Sequence, residues 1–197
     1  MPLAHDPSPT VGPPLLWVGL LALVTIGVLA WLRARRSPRT SDAPEREALF
    51  AVAALTLGAA AVHALLIPAS AREDALFGAA FVVFAAAQGA WGLSLLTRPS
   101  ARVLRAAVWG NAAIAGIWLL SRTAGLPVGP EPWVPEAVAA SDLVTAFFEL
   151  AASVLGAALA GASPHLRRVG WRGVSPRSQA MAVLLGAAAL AAVLGGG

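Results

Sequence analysis

Apart from arginine, ten acidic residues and three histidines are all the ionisable side chains in this 197-residue sequence, which has no cysteine. Glu149 is the most informative of them. It lies inside an apolar run, seven residues after Asp142 and four after Thr145, so the three share one helical face. A carboxylate at the centre of a membrane helix costs about 2.5–3.5 kcal/mol on insertion scales, so it demands a partner. That partner either does chemistry or simply glues two helices. His63 sits in a second apolar run with Thr56 seven residues earlier, and it can pack, move a proton or ligate. His63, Asp142 and Glu149 together would offer nitrogen and oxygen donors to zinc, manganese or iron, although no H-E-x-x-H motif joins them. Haem is disfavoured, because His5 and His165 fall in a tail and a loop expected on opposite sides. The sequence specifies no other cofactor.

A matching stripe runs through Asn111, Ala115, Trp118 and Arg122 at i, i+4, i+7 and i+11. Arg122 is placed to meet Asp142, Glu136 or Glu131 as a helix-end ion pair. Asn111, Gln88 and Trp91 are polar or amphipathic groups in mid-run, for which interhelical hydrogen bonding is the default. The segment from Thr123 to Glu136 carries Pro127, Pro130, Pro132 and Pro135, which fix φ and bar a regular helix. Pro127, Pro130, Trp133 and Glu136 are its candidate lid residues, with a clamp between two helices as the plainer role. The expected site is therefore one polar cluster of His63, Asn111, Arg122, Asp142 and Glu149 beneath that loop.

The elements that would position this cluster are apolar runs. Hydrophobic residues make up 58% of the chain and charged residues 12%, about half the roughly 25% of a soluble domain. The net charge is +4, yet the 14 basic residues are all arginines in separate short segments without interleaved aromatics. That pattern excludes a nucleic-acid surface and points to anionic lipid headgroups. Runs at about 15–32, 48–67, 75–96, 103–120, 142–163 and 179–195 each approach the roughly 20 residues that span a bilayer. The expectation is an all-α, polytopic six-transmembrane-helix bundle, a single domain over 15–197 preceded by an extracytoplasmic tail at 1–14. The first run is read as a retained helix, because Asp6 precedes it and Arg33, Arg35 and Arg36 follow it.

Arginine placement orients the bundle. Twelve arginines fall in the loops after the first, third and fifth runs, while only Arg72 and Arg122 fall on the other side. The positive-inside rule then puts the rich loops in the cytoplasm and both termini outside.

From His63 to Glu149 the chain resembles an uncharacterised family of multi-pass membrane proteins of high-GC (actinobacterial-type) bacteria. The resemblance rests on the run from Trp118 to Pro130, then Trp133 to Glu136, with His63, Gln88, Trp91, Asn111, Asp142 and Glu149 as single residues. It implies a multi-pass protein of the bacterial plasma membrane with a polar outer face, and it brings no activity, cofactor or catalytic residue.

The leading functional expectation is binding of a cation, proton or small ligand in an external-facing polar pocket. The alternative is a non-catalytic structural or accessory subunit, and an intramembrane enzyme comes third. No nucleophile–base pair is recognisable, since Ser121 and His63 lie on different runs. The bilayer is the expected partner, and a homo-oligomer or a second membrane subunit stays open.

Overall fold

The computed structural model describes residues 43–161 and 174–194. Five helices account for nearly all of them: α1 (Ala43–Glu73), α2 (Ala75–Thr97), α3 (Ala101–Thr123), α4 (Ala140–Ala160) and α5 (Pro176–Leu194). Among the described residues, α1 to α4 are the candidates long and apolar enough to cross a membrane. Among the described residues, the expected six-helix bundle is thus corrected to an all-α fold of five helices with four candidate spans. The inference that both termini lie outside rested on six spans and goes with it. α5 is the shortest of the five, and Pro176, Arg177, Ser178 and Gln179 occupy its first turn. The apolar remainder, Ala180–Leu194, is about 22 Å long against a hydrocarbon core of about 30 Å. The run at 15–32, the tail, His5, His165 and most of the arginines expected in the first and third basic loops lie outside the described residues.

Local sequence explains where the helices turn. α1 continues past Ile67 to Glu73 with Pro68 inside it, so the proline deprives the Ala64 carbonyl of its usual donor without ending the helix. Asp74 alone separates α1 from α2; its Oδ1 accepts from the Leu76 N–H at 2.7 Å and caps α2. Ser100, after Pro99, caps α3 by accepting from the Val103 N–H at 3.2 Å.

The bundle has apolar side chains outside and polar ones inside. Val83, Leu93, Trp109, Val183 and Leu184 are all more than half exposed. Gln88, Asn111, Thr56 and Glu149 are almost completely buried. Only a lipid surround makes that exterior stable, so this is a multi-pass membrane protein. α1 is central, packing on α2, α4 and α5, while α3 packs mainly on α4. One apolar core, including Leu49, Leu95, Leu104 and Leu159, fills the end where α2 turns into α3. A second, with Leu55, Val62 and Phe148, seams α1 to α4. At the same basic end Glu47 accepts from the Ser175 N–H and the Ser178 hydroxyl, fixing the start of α5 to the start of α1.

Close approach of α1 and α2 depends on Gly92. A Cβ there would lie 2.6 Å from the Leu57 side chain and 3.3 Å from the Ala53 carbonyl oxygen. Gly92→Ala should therefore cost about 1–3 kcal/mol through overpacking. Gly116→Ala, with open space at its Cβ, should not lower the unfolding midpoint in detergent. Equal midpoints for the two variants would contradict this packing.

Candidate functional site

Four helices place polar side chains at similar depth. His63, Gln88, Asn111 and Glu149 lie nine to thirteen residues from the same end of α1, α2, α3 and α4, or about 14–20 Å along each axis. Gln88 is the hub. Its Nε2 donates to Asn111 Oδ1 at 3.0 Å and to Glu149 Oε1 at 2.9 Å. Its Oε1 lies 2.8 Å from His63 Nδ1. An amide oxygen only accepts, so His63 carries its proton on Nδ1. Asn111 is equally occupied, with Nδ2 donating to Thr56 Oγ1 at 3.2 Å and to the Ala107 carbonyl at 2.8 Å.

Once Nδ1 is committed, His63 Nε2 is the nitrogen free to change state. It stands 3.8 Å from Glu149 Oε1. That distance is too long for a hydrogen bond and short enough for strong coupling in a dry interior. One proton shared between these two groups, on the carboxyl or on the imidazole, leaves the pair neutral overall. Rings of Phe81 and Phe84 enclose the imidazole, the former edge-to-face at 5.2 Å between centroids. They keep it 6% exposed.

Both groups line the floor of a cavity of about 130 Å³. Its walls come from α1, α2, α3 and α4, and its roof from the loop after α3. At the roof Arg122 donates to Glu136 and, from Nη2, to Asp142 Oδ2 at 2.8 Å. The same Asp142 oxygen accepts from the Ala139 N–H at 2.9 Å, so one carboxylate both starts α4 and holds α3. Glu136 returns a backbone bond, its N–H donating to the Ser121 carbonyl at 3.0 Å. Within the loop, Gly125 and Gly129 adopt φ of +77° and +103°. These conformations are open to glycine and strained for other residues. They fold the chain onto itself and seat Gly129 against the ring of Phe77.

The structure brings His63, Arg122, Asp142 and Glu149 to the wall of one cavity, with Asn111 behind it in the Gln88 network. Of the four lid residues named from the sequence, Glu136 lines the cavity and Pro127, Pro130 and Trp133 do not. Trp133 has φ of +63° and an exposed ring, and Leu126 takes the lining position instead. Thr145 turns back to its own helix, donating to the Ser141 carbonyl. Among the described residues no group of three His, Asp or Glu side chains is gathered closely enough to hold a metal ion. The sequence led to an expectation of interhelical hydrogen bonding for Gln88 and placed Thr56 only on the face of His63, and neither was counted among the site residues. The signal that would have singled out Gln88 is its depth, level with Asn111, His63 and Glu149 once alternate helices are reversed.

No family model, curated protein or solved structure matches this chain. The class defined by fold and site is therefore an all-helical polytopic membrane protein with a buried polar network beneath a capped cavity.

Replacing Gln88 by Leu should strand its buried partners on three helices. Each orphaned group costs about 1–3 kcal/mol, so Gln88→Leu should be far less stable in detergent than Ser153→Ala. That control removes one bond, to the Val108 carbonyl. Arg122→Gln should release the roof while leaving the bundle intact. Backbone amides of 125–136 should then exchange with deuterium at least tenfold faster, with the amides of α1 unchanged; unaltered loop exchange would show that the ion pairs do not hold it.

Proposed function

We propose that this protein binds a small ligand in the capped cavity and exchanges one proton between ligand, His63 and Glu149. The observation that carries the reading is the allocation of hydrogen bonds. Gln88 and Asn111 are saturated, which fixes the imidazole tautomer and leaves His63 Nε2 and the Glu149 carboxyl at the cavity floor as the groups able to change protonation. Two ionisable groups placed so deep are costly, and in membrane proteins such groups line substrate or proton routes.

Arginine placement supports an external-facing cavity. Arg46, Arg98, Arg102, Arg105 and Arg177 lie at the end of the bundle away from the cavity. At the cavity end stand Arg72 and Arg122, the latter paired with two carboxylates. By the positive-inside rule the basic end is cytoplasmic, and its arginines suit anionic headgroups.

The accessory-subunit reading draws on the same saturation, since a network so fully paired also locks helices together. Glu149→Gln separates the two. The substituted amide keeps an oxygen to accept from Gln88, so folding should survive with a midpoint within a few degrees of wild type. Infrared difference spectra across a pH titration should show a carboxylic-acid band in wild type that vanishes in Glu149→Gln and moves in His63→Gln. A large loss of stability with no titrating band in wild type would leave the structural role alone.

A further inference from the structure

The cavity walls specify the kind of molecule that fits, and the inference rests on the ligand-site reading above. Five rings meet there: Phe77, Phe81, Phe84, Trp118 and His63. The volume, about 130 Å³, is close to the roughly 150 Å³ of an engineered apolar cavity that takes up benzene. One six-membered ring is the right size.

Charge and hydrogen bonding narrow the class. Three acidic side chains, Glu136, Asp142 and Glu149, line the cavity with one guanidinium, that of Arg122, which Glu136 and Asp142 already pair, so no free positive charge is left for an anion. Among the described residues two buried side-chain nitrogens lack a hydrogen-bond partner, and both belong to residues of this cavity: Trp118 Nε1 and Arg122 Nε. Each is an N–H donor with no accepting capacity. A buried donor left unpaired costs about 1–3 kcal/mol, which an acceptor oxygen reaching either nitrogen would offset. A cation brings none. A neutral ring bearing carbonyl oxygens does, and its far oxygen would face the His63–Glu149 pair at the floor.

The route in also follows from packing. α2 and α3 touch where Gln88 bonds Asn111 and where Trp91 lies over Gly110. They make fewer contacts with each other than α1 makes with α2 or α3 with α4. Above that crossing, the wall residues of α2 and α3 belong to the cavity rather than to a shared seam, and Ile117 beside it is 42% exposed. The loop roofs the water side, so the gap between α2 and α3 faces lipid.

We propose that the cavity takes the head ring of a membrane-dissolved quinone, entering sideways between α2 and α3, with one carbonyl accepting from Trp118 and Arg122. The chain offers no lysine or cysteine side chain for quinone adducts.

Equilibrium binding of decylubiquinone to the whole protein in nanodiscs, corrected with empty nanodiscs, tests this. Wild type should show saturable binding that duroquinone displaces and phenyltrimethylammonium does not. Trp118→Phe keeps the ring and removes the unpaired donor, so it should weaken binding at least tenfold without lowering the unfolding midpoint of the free protein. Ile117→Trp should slow association while leaving the Glu149 carboxyl band in place. Displacement by the cation, or equal affinity in Trp118→Phe, overturns the proposal. Absence of quinone binding while the Glu149 band still titrates overturns the ligand class and leaves the proton-exchange reading standing; absence of both removes the two together.

Discussion

A single side-chain amide holds the bundle to one arrangement. Inside a bilayer no water waits to satisfy a polar group that misses its partner, so each buried donor and acceptor constrains its neighbours. Gln88 has one acceptor and two donors, and it spends them on α1, α3 and α4. Rotating α2 by one residue would move the amide about 100° and leave polar groups of three other helices facing hydrocarbon. Leucine and alanine seams tolerate small slips, because dispersion between apolar surfaces is non-directional. The amide does not. The apolar cores supply contact area; Gln88 selects the register in which that area is used.

The same accounting links architecture to the cavity. Below the Gln88 layer the helices close on Leu49, Leu95 and Leu104. Above it the facing residues of α2 and α3, among them Phe81, Phe84, Ile114 and Trp118, line the cavity. A rigid loop then spans the cavity, held by Arg122 between Glu136 and Asp142. Floor, walls and roof therefore have distinct physical origins: a hydrogen-bond network, aromatic packing and an ion-paired clasp. The floor is dry and ordered, while the roof is an ion-paired clasp in which Glu136 is the group most open to water.

Much of this was legible in the sequence. Glu149, His63, Asn111, Asp142 and Arg122 stood out because ionisable and amide groups in apolar runs are expensive, and helical spacing put them on coherent faces. Arg122 could be matched to Glu136 and Asp142 because a short proline-rich loop must return α4 beside α3. Helix count was not legible from hydropathy alone. The stretch at 179–195 is apolar in composition, yet its helix spends its first turn on Pro176, Arg177, Ser178 and Gln179 and starts from a contact with Glu47. Nor was the extent of α1, since Pro68 marks an end in most helices and here lies inside one. Gln88 was undervalued for a different reason: an amide is chemically bland, and its weight comes from standing level with three partners on other helices, which is a property of the assembled bundle.

A saturated network is usually read as structure and an unsaturated one as function, and this site shows why the two are coupled. Had Gln88 offered its N–H to His63, the imidazole would have accepted at Nδ1 and carried its proton on Nε2, facing Glu149. The nitrogen able to take up a further proton would then have been Nδ1, occupied by the amide and turned away from the carboxyl. Because the amide instead presents its oxygen to His63 and its nitrogen to Glu149, the imidazole edge nearest the carboxyl is the one whose protonation is open. Saturation elsewhere is thus the means by which one position is kept undecided. The Trp118 and Arg122 nitrogens without a hydrogen-bond partner among the described residues are the complementary case, donors left open where the imidazole is left undecided.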